Sequence, residues 1–191
     1  MISFAELEFA LLGLLRLARF DAGFAGFFDL TRDGARRSFR LALPLLPLSL
    51  LLLNLNQNWP DETDVGRVVA AELIAYALSW TVFPLLLIAA APLIERGERV
   101  YGAIAIYNWL SVLFIALQLP LEIADYYGMG GALYGTLSVA VLIFVTACEF
   151  FAFKRILSVG FEIAAALVVV DFVASQIISS LMVGMIHGPL F

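Results

Sequence analysis

Five long apolar runs, at about 39–56, 70–94, 101–121, 132–153 and 161–185, take up most of this chain. Each must be buried, in protein or in lipid. A hydrocarbon core of about 30 Å is crossed by a helix of about 20 apolar residues, and four of the runs exceed that length. The first is shorter and holds Pro44 and Pro47, which predicts a kinked or tilted helix. The runs are continuous, whereas membrane barrels need many alternating segments of about ten residues. At 63% hydrophobic and 14% charged, the chain is more apolar than soluble domains, which hold about 45–50%. The expected fold is an all-α integral membrane protein with five transmembrane helices.

The charges orient these helices. Arg16, Arg19, Arg32, Arg36, Arg37 and Arg40 precede the first run, Arg96 and Arg99 follow the second, and Lys154 and Arg155 follow the fourth. The other connections hold Arg67 and the acids Asp61, Glu62, Asp64, Glu122 and Asp125. Short loops rich in Lys and Arg stay cytoplasmic. The pattern therefore predicts an N-terminus inside, a C-terminus outside and, for a bacterial chain, the inner membrane.

Residues 1–20 predict an amphipathic interfacial helix rather than a signal peptide, because Glu6 and Glu8 stand where a basic n-region would be. Phe4, Leu7, Leu11, Leu14, Leu15 and Ala18 recur at helical spacing, opposite Glu6, Glu8, Arg16 and Arg19. Such a helix lies in the membrane plane, with Arg16 and Arg19 toward anionic headgroups, or packs on the cytoplasmic ends of its own bundle, and the two are compatible. Residues 21–38 read as a cytoplasmic linker, and 39–191 as the transmembrane domain. Within the linker, Thr31 is placed to cap a helix that starts near Arg32 and runs into the membrane. Asp29 and Asp33 can pair with Arg32, Arg36 or Arg37. The lipid- or partner-contacting residues expected here are Phe4, Leu7, Leu11, Leu14, Arg16, Arg19, Arg32, Arg36 and Arg37.

Two segments, Phe28-Asp29-Leu30-Thr31-Arg32-Asp33-Gly34-Ala35-Arg36-Arg37-Ser38-Phe39 and Ala105-Ile106-Tyr107-Asn108-Trp109, resemble those of small bacterial Yip1-like five-span membrane proteins. Ala35 and Arg36 depart from the first motif. The resemblance implies five spans behind a cytoplasmic amphipathic N-terminus and no catalytic chemistry.

Asp171 is the sharpest polar residue inside the apolar runs, about nine residues into the fifth. A carboxylate near the midplane costs roughly 2.5–3.5 kcal/mol on insertion scales, so it should face the bundle interior and have a partner or a proton. Asn108, at similar depth in the third run, can donate to it, and Tyr107, Ser111, Ser138 and Gln176 are the other candidate partners. The functional reading is a proton relay or ion site; the structural one is a hydrogen bond fixing helix register. Glu72, Glu149 and Glu162 lie nearer span ends, with Glu149 expected to be satisfied at the interface by Lys154 and Arg155. Gly131 with Gly135, and Ser175 with Ser179, have the small-x-x-x-small spacing of close helix contacts.

Nothing predicts catalysis. The chain has one His and one Cys, His187 and Cys148, no metal-ligand spacing and no phosphate-binding loop. No cofactor, metal or nucleic-acid partner is expected. The leading expectation is a non-catalytic membrane protein that organises membrane or serves as an accessory subunit, with the bilayer and another membrane protein, or itself, as partners. The alternatives are a small transporter or channel using Asp171, and a membrane-protein assembly factor.

Overall fold

The computed structural model describes residues 4–55, 64–129 and 131–187. They form α1 (Phe4–Leu17), a 3-10 turn (Ala22–Phe27), α2 (Arg32–Ser38), a second 3-10 turn (Phe39–Leu41), α3 (Ala42–Leu55), α4 (Val65–Ala90), α5 (Arg99–Tyr126), α6 (Gly131–Ile156) and α7 (Phe161–His187). Among the described residues there is no strand. Helices α4, α5, α6 and α7 are long and apolar enough to cross a membrane; the 26 residues of α4 rise about 39 Å.

Boundaries move outward where caps or helical spacing carry the chain beyond the apolar run. Asp64 accepts the Gly66 N–H at 2.9 Å and starts α4 at Val65 rather than at residue 70. Helix α5 continues through Pro120 to Tyr126, which places Glu122 and Asp125 on its last turns rather than in a loop. Trp59, Asp61 and Glu62 lie outside the described residues.

The first apolar run takes a form its hydropathy does not show. Its helix α3 has 14 residues, a rise of about 21 Å, and is not among the four long helices. It is preceded by α2, which lies along α5. Arg32 sits over the Tyr101 ring at 5.5 Å, and six residues later Ser38 accepts a hydrogen bond from Asn108, 2.9 Å away and seven residues along α5. The two helices therefore run side by side in one direction. The 3-10 turn between α2 and α3 has a local cause. Pro44 has no N–H for the Arg40 carbonyl and Pro47 none for Leu43, while the Ala42 N–H turns back to Phe39. Together Arg32–Leu55 rise about 36 Å as one broken helix.

Residues 21–38 are thus folded rather than a plain linker. Phe24 and Leu17 are fully buried, and Phe24 packs on Phe151 and Phe28 on Trp109. The left-handed residue Phe20 (φ 54°) ends α1 and sets its ring edge-on against Phe144 and Phe151. This N-terminal cap covers the end of the bundle where Arg96 donates to the Leu157 carbonyl at 3.1 Å, tying two basic connections together. At the opposite end Arg67 donates to the Met185 carbonyl. Helices α3, α4, α7, α6 and α5 touch in that order, and α5 returns to α3, closing a ring.

Candidate functional site

Inside the ring is a cavity of about 840 Å³, lined by all five helices. Ser49 comes from α3; Glu72, Tyr76 and Trp80 from α4; Tyr107, Gln118 and Glu122 from α5. Thr146 and Glu149 come from α6, and Asp171, Ser175 and Ser179 from α7. Among the described residues, four carboxylates line it and no Lys, Arg or His does.

Helical spacing brings these groups to one face of each element. Asp171, Ser175 and Ser179 follow at four-residue steps along α7. Tyr107, Ser111, Phe114, Gln118 and Glu122 follow at three- and four-residue steps along α5, and Glu72, Tyr76 and Trp80 along α4. Residues three and four apart share a helix face. The same stripes were visible in the sequence, but as scattered polar residues in apolar runs they did not say that they face one another.

The cavity has two polar levels. At the first, Tyr107 donates to Asp171 at 2.8 Å. Glu149 is 6% exposed, and its Oε1 has no hydrogen-bond partner among the described residues. Glu149 and Asp171 also line a small adjoining pocket of about 120 Å³. At the second level Gln118 donates to Glu122 at 2.8 Å and to Ser138 at 3.2 Å, and Tyr134 donates to the same Glu122 oxygen at 2.6 Å. Tyr107 and Glu122 are fifteen residues apart on α5, about 22 Å along its axis.

Several expectations need correction. Asn108 does not reach Asp171: it is 1% exposed, donates to Ser38, and its Oδ1 has no partner among the described residues. Tyr107, one position earlier, turns toward the cavity instead, because adjacent helix residues point about 100° apart. Glu149 is not an interfacial charge satisfied by Lys154 and Arg155; it sits a turn deeper, on the buried side of α6. Glu122 belongs to a buried network, not to a solvated loop. Gly131 and Gly135 make no close helix contact, since a Cβ on either would meet nothing within 4 Å. Ser175 and Ser179 line the cavity.

The N-terminal residues divide by face. Ala10, Gly13, Leu14 and Leu17 form the buried face of α1, so Leu14 is core rather than a contact residue. Phe4, Leu7, Leu11 and Leu15 are exposed beside it. Arg16 pairs with Asp21 at 3.3 Å and lies 4.7 Å from the Phe27 ring centre; Arg19 is exposed. Arg36 reaches Asp33 at 3.5 Å. Arg37 joins Glu6 of α1, at 3.3 Å, to Asp29. The Thr31 hydroxyl and N–H, then Arg37, hold the Asp29 carboxyl below its ordinary value. Thr31 caps α2 through the Gly34 N–H at 3.2 Å, as its place before Arg32 predicts.

No protein-family model, curated protein or solved structure matches the chain. The functional reading therefore rests on the geometry of the cavity and of the N-terminal cap.

Proposed function

We propose that this is a non-catalytic membrane protein, similar to the small Yip1-like proteins, that holds and passes a small cationic solute through the ring of its helices. In this reading α2 and α3 together make a fifth, broken span. The N-terminus lies inside, the C-terminus outside, and a bacterial inner membrane surrounds the bundle. Helix α1 lies in the interface, with Phe4, Leu7, Leu11 and Leu15 toward lipid. The observation that carries the reading is the cavity: among the described residues, four carboxylates line one space inside an apolar bundle, without a basic residue on its lining. Buried carboxylates need counter-charge, and a cation or proton moving through the space supplies it. The broken helix supports the reading, because irregular backbone at membrane depth occurs where protein or a cavity surrounds it.

The test is reconstitution of the full chain in proteoliposomes, with uptake of protons, monovalent inorganic cations and protonated amines measured. Uptake of at least one that falls about tenfold or more in Asp171→Asn is expected. Folded protein that passes none of them ends the transport reading.

A second reading, an accessory or membrane-organising subunit, is favoured by the exposed stripe of α1 next to its buried face. Gentle extraction from native membranes distinguishes the two: a subunit co-purifies with its complex at fixed ratio, an assembly factor does so substoichiometrically, and a carrier is recovered alone.

A further inference from the structure

We infer that the Asp171 level of the cavity is a binding site for an organic ammonium ion, with its charge between Asp171 and Glu149 and its apolar part against Trp80 and Tyr76. This rests on the reading that the cavity holds a cationic solute. Three observations carry the more specific claim.

The first is chemical. Glu149 is more than nine-tenths buried, lines the cavity, and has an oxygen without a partner among the described residues. Asp171 beside it keeps Tyr107 as a donor to one oxygen. Buried polar atoms are ordinarily satisfied, so a carboxylate that lines a cavity and has one oxygen unpartnered calls for a donor. An ammonium ion brings both the donor and the opposite charge.

The second is size. The space, about 840 Å³, lies within the range of small-molecule pockets, about 300–1,000 Å³. A bare inorganic ion would occupy a small part of it.

The third is lining. Trp80 lies ten residues from the capped end of α4 and Asp171 ten residues from the same end of α7, so the indole stands at the level of the carboxylates. Tyr76, one turn along α4, has its ring centre 6.0 Å from that of Trp80, and Phe114 and Ile115 continue the apolar wall from α5. Aromatic faces attract organic cations, Trp most strongly.

The charge balance of binding is simple. The ligand enters with one positive charge and one proton leaves the Glu149–Asp171 pair for solvent; no bond within the ligand changes. The other titratable groups facing the space are Tyr107 and Glu122 from α5 and Glu72 and Tyr76 from α4, while α3 contributes Ser49, Leu45 and Leu52. Proton and ligand therefore compete, and affinity rises with pH.

The experiment is titration calorimetry on the full chain in detergent, with benzylammonium, its neutral carbon isostere ethylbenzene, and sodium as probes. Saturable one-to-one binding of the ammonium ion is expected, with proton release and tighter binding as pH rises. Glu149→Gln should weaken it about tenfold or more and flatten the pH dependence. Trp80→Leu should weaken it and keep the pH dependence. Equal binding of the neutral isostere, or affinity independent of pH in the unsubstituted protein, overturns the site even if a variant fails to fold. Sodium binding without ammonium binding also overturns it, and leaves the transport reading standing. Ammonium binding without uptake into proteoliposomes supports the site and removes that reading.

Discussion

Arg37 shows how a single side chain fastens the N-terminus. It bridges Glu6 on α1 and Asp29 before α2, residues far apart in sequence that meet only when the cap is folded. Each pair is about a third exposed, so each contributes about 0–1 kcal/mol; together with the Thr31 cap they determine where α1 sits. Gly34 is part of the same joint, since a Cβ there would overlap the Asp29 carbonyl. The shift at Asp29 makes the joint acid-sensitive. Its folded value lies below the ordinary carboxylate value, so the unfolded state binds more protons as pH falls. The stabilisation is fully present above the ordinary value and is lost as pH falls through the lowered one. Protection of α1 against hydrogen exchange, relative to the intrinsic rate at each pH, should therefore fall on acidification below the ordinary carboxylate range, and Asp29→Asn should show the lower protection already at neutral pH. Exchange in α1 that is the same in both proteins at all pH values would remove this role.

At the scale of elements, one hydrogen bond among the described residues, Asn108 to Ser38, joins the broken helix α2–α3 to α5. Asn108 and Ser38 are both nearly inaccessible and bonded to each other. Ser38 also donates to the Ala35 carbonyl at 2.7 Å, so its one hydrogen is used and it meets Asn108 as an acceptor. Removing one member leaves a buried amide unsatisfied, while removing both leaves an apolar contact. Ser38→Ala should cost about 1–3 kcal/mol in thermal or denaturant unfolding in detergent. The double substitution Ser38→Ala with Asn108→Leu should recover much of that loss. Additive losses would show that the contact does not hold the element. This pairing was not legible in the sequence. Hydropathy marked Phe39 as the start of a span, and the Thr31 cap pointed to a helix from Arg32 running into the membrane; that this helix lies along α5 did not show in its stretch of mixed charge.

For the whole molecule, the ring of helices and the cap make the two ends unequal. The capped end is filled by Phe24, Leu17, Phe153 and Leu87, all fully buried, while the cavity extends from the Asp171 level toward Glu122 and Met182. A five-span arrangement places Asp33 and Ser158 on one side of the membrane and Met129 on the other. Single cysteines at these exposed positions, in a Cys148→Ser background, test it with a membrane-impermeant maleimide. Met129→Cys should label in intact cells, and Asp33→Cys and Ser158→Cys only after permeabilisation. Labelling of Asp33→Cys and Met129→Cys from the same side would rule the arrangement out.

The sequence by itself determined that the chain is helical, where its four long apolar helices lie, and how basic and acidic connections alternate between them. These properties are local: helix length, hydropathy and caps depend on neighbours within a few turns. Only the tertiary structure decided which polar residues meet. In an apolar surrounding, helices are sorted by packing and hydrogen bonding rather than by burial of hydrophobic surface, so the hydropathy that locates a helix does not say which face it turns inward. That is why Asp171 was legible as an outlier and Tyr107 as one of several candidate partners, while the choice among them, the buried Glu149 and the cavity they share were not.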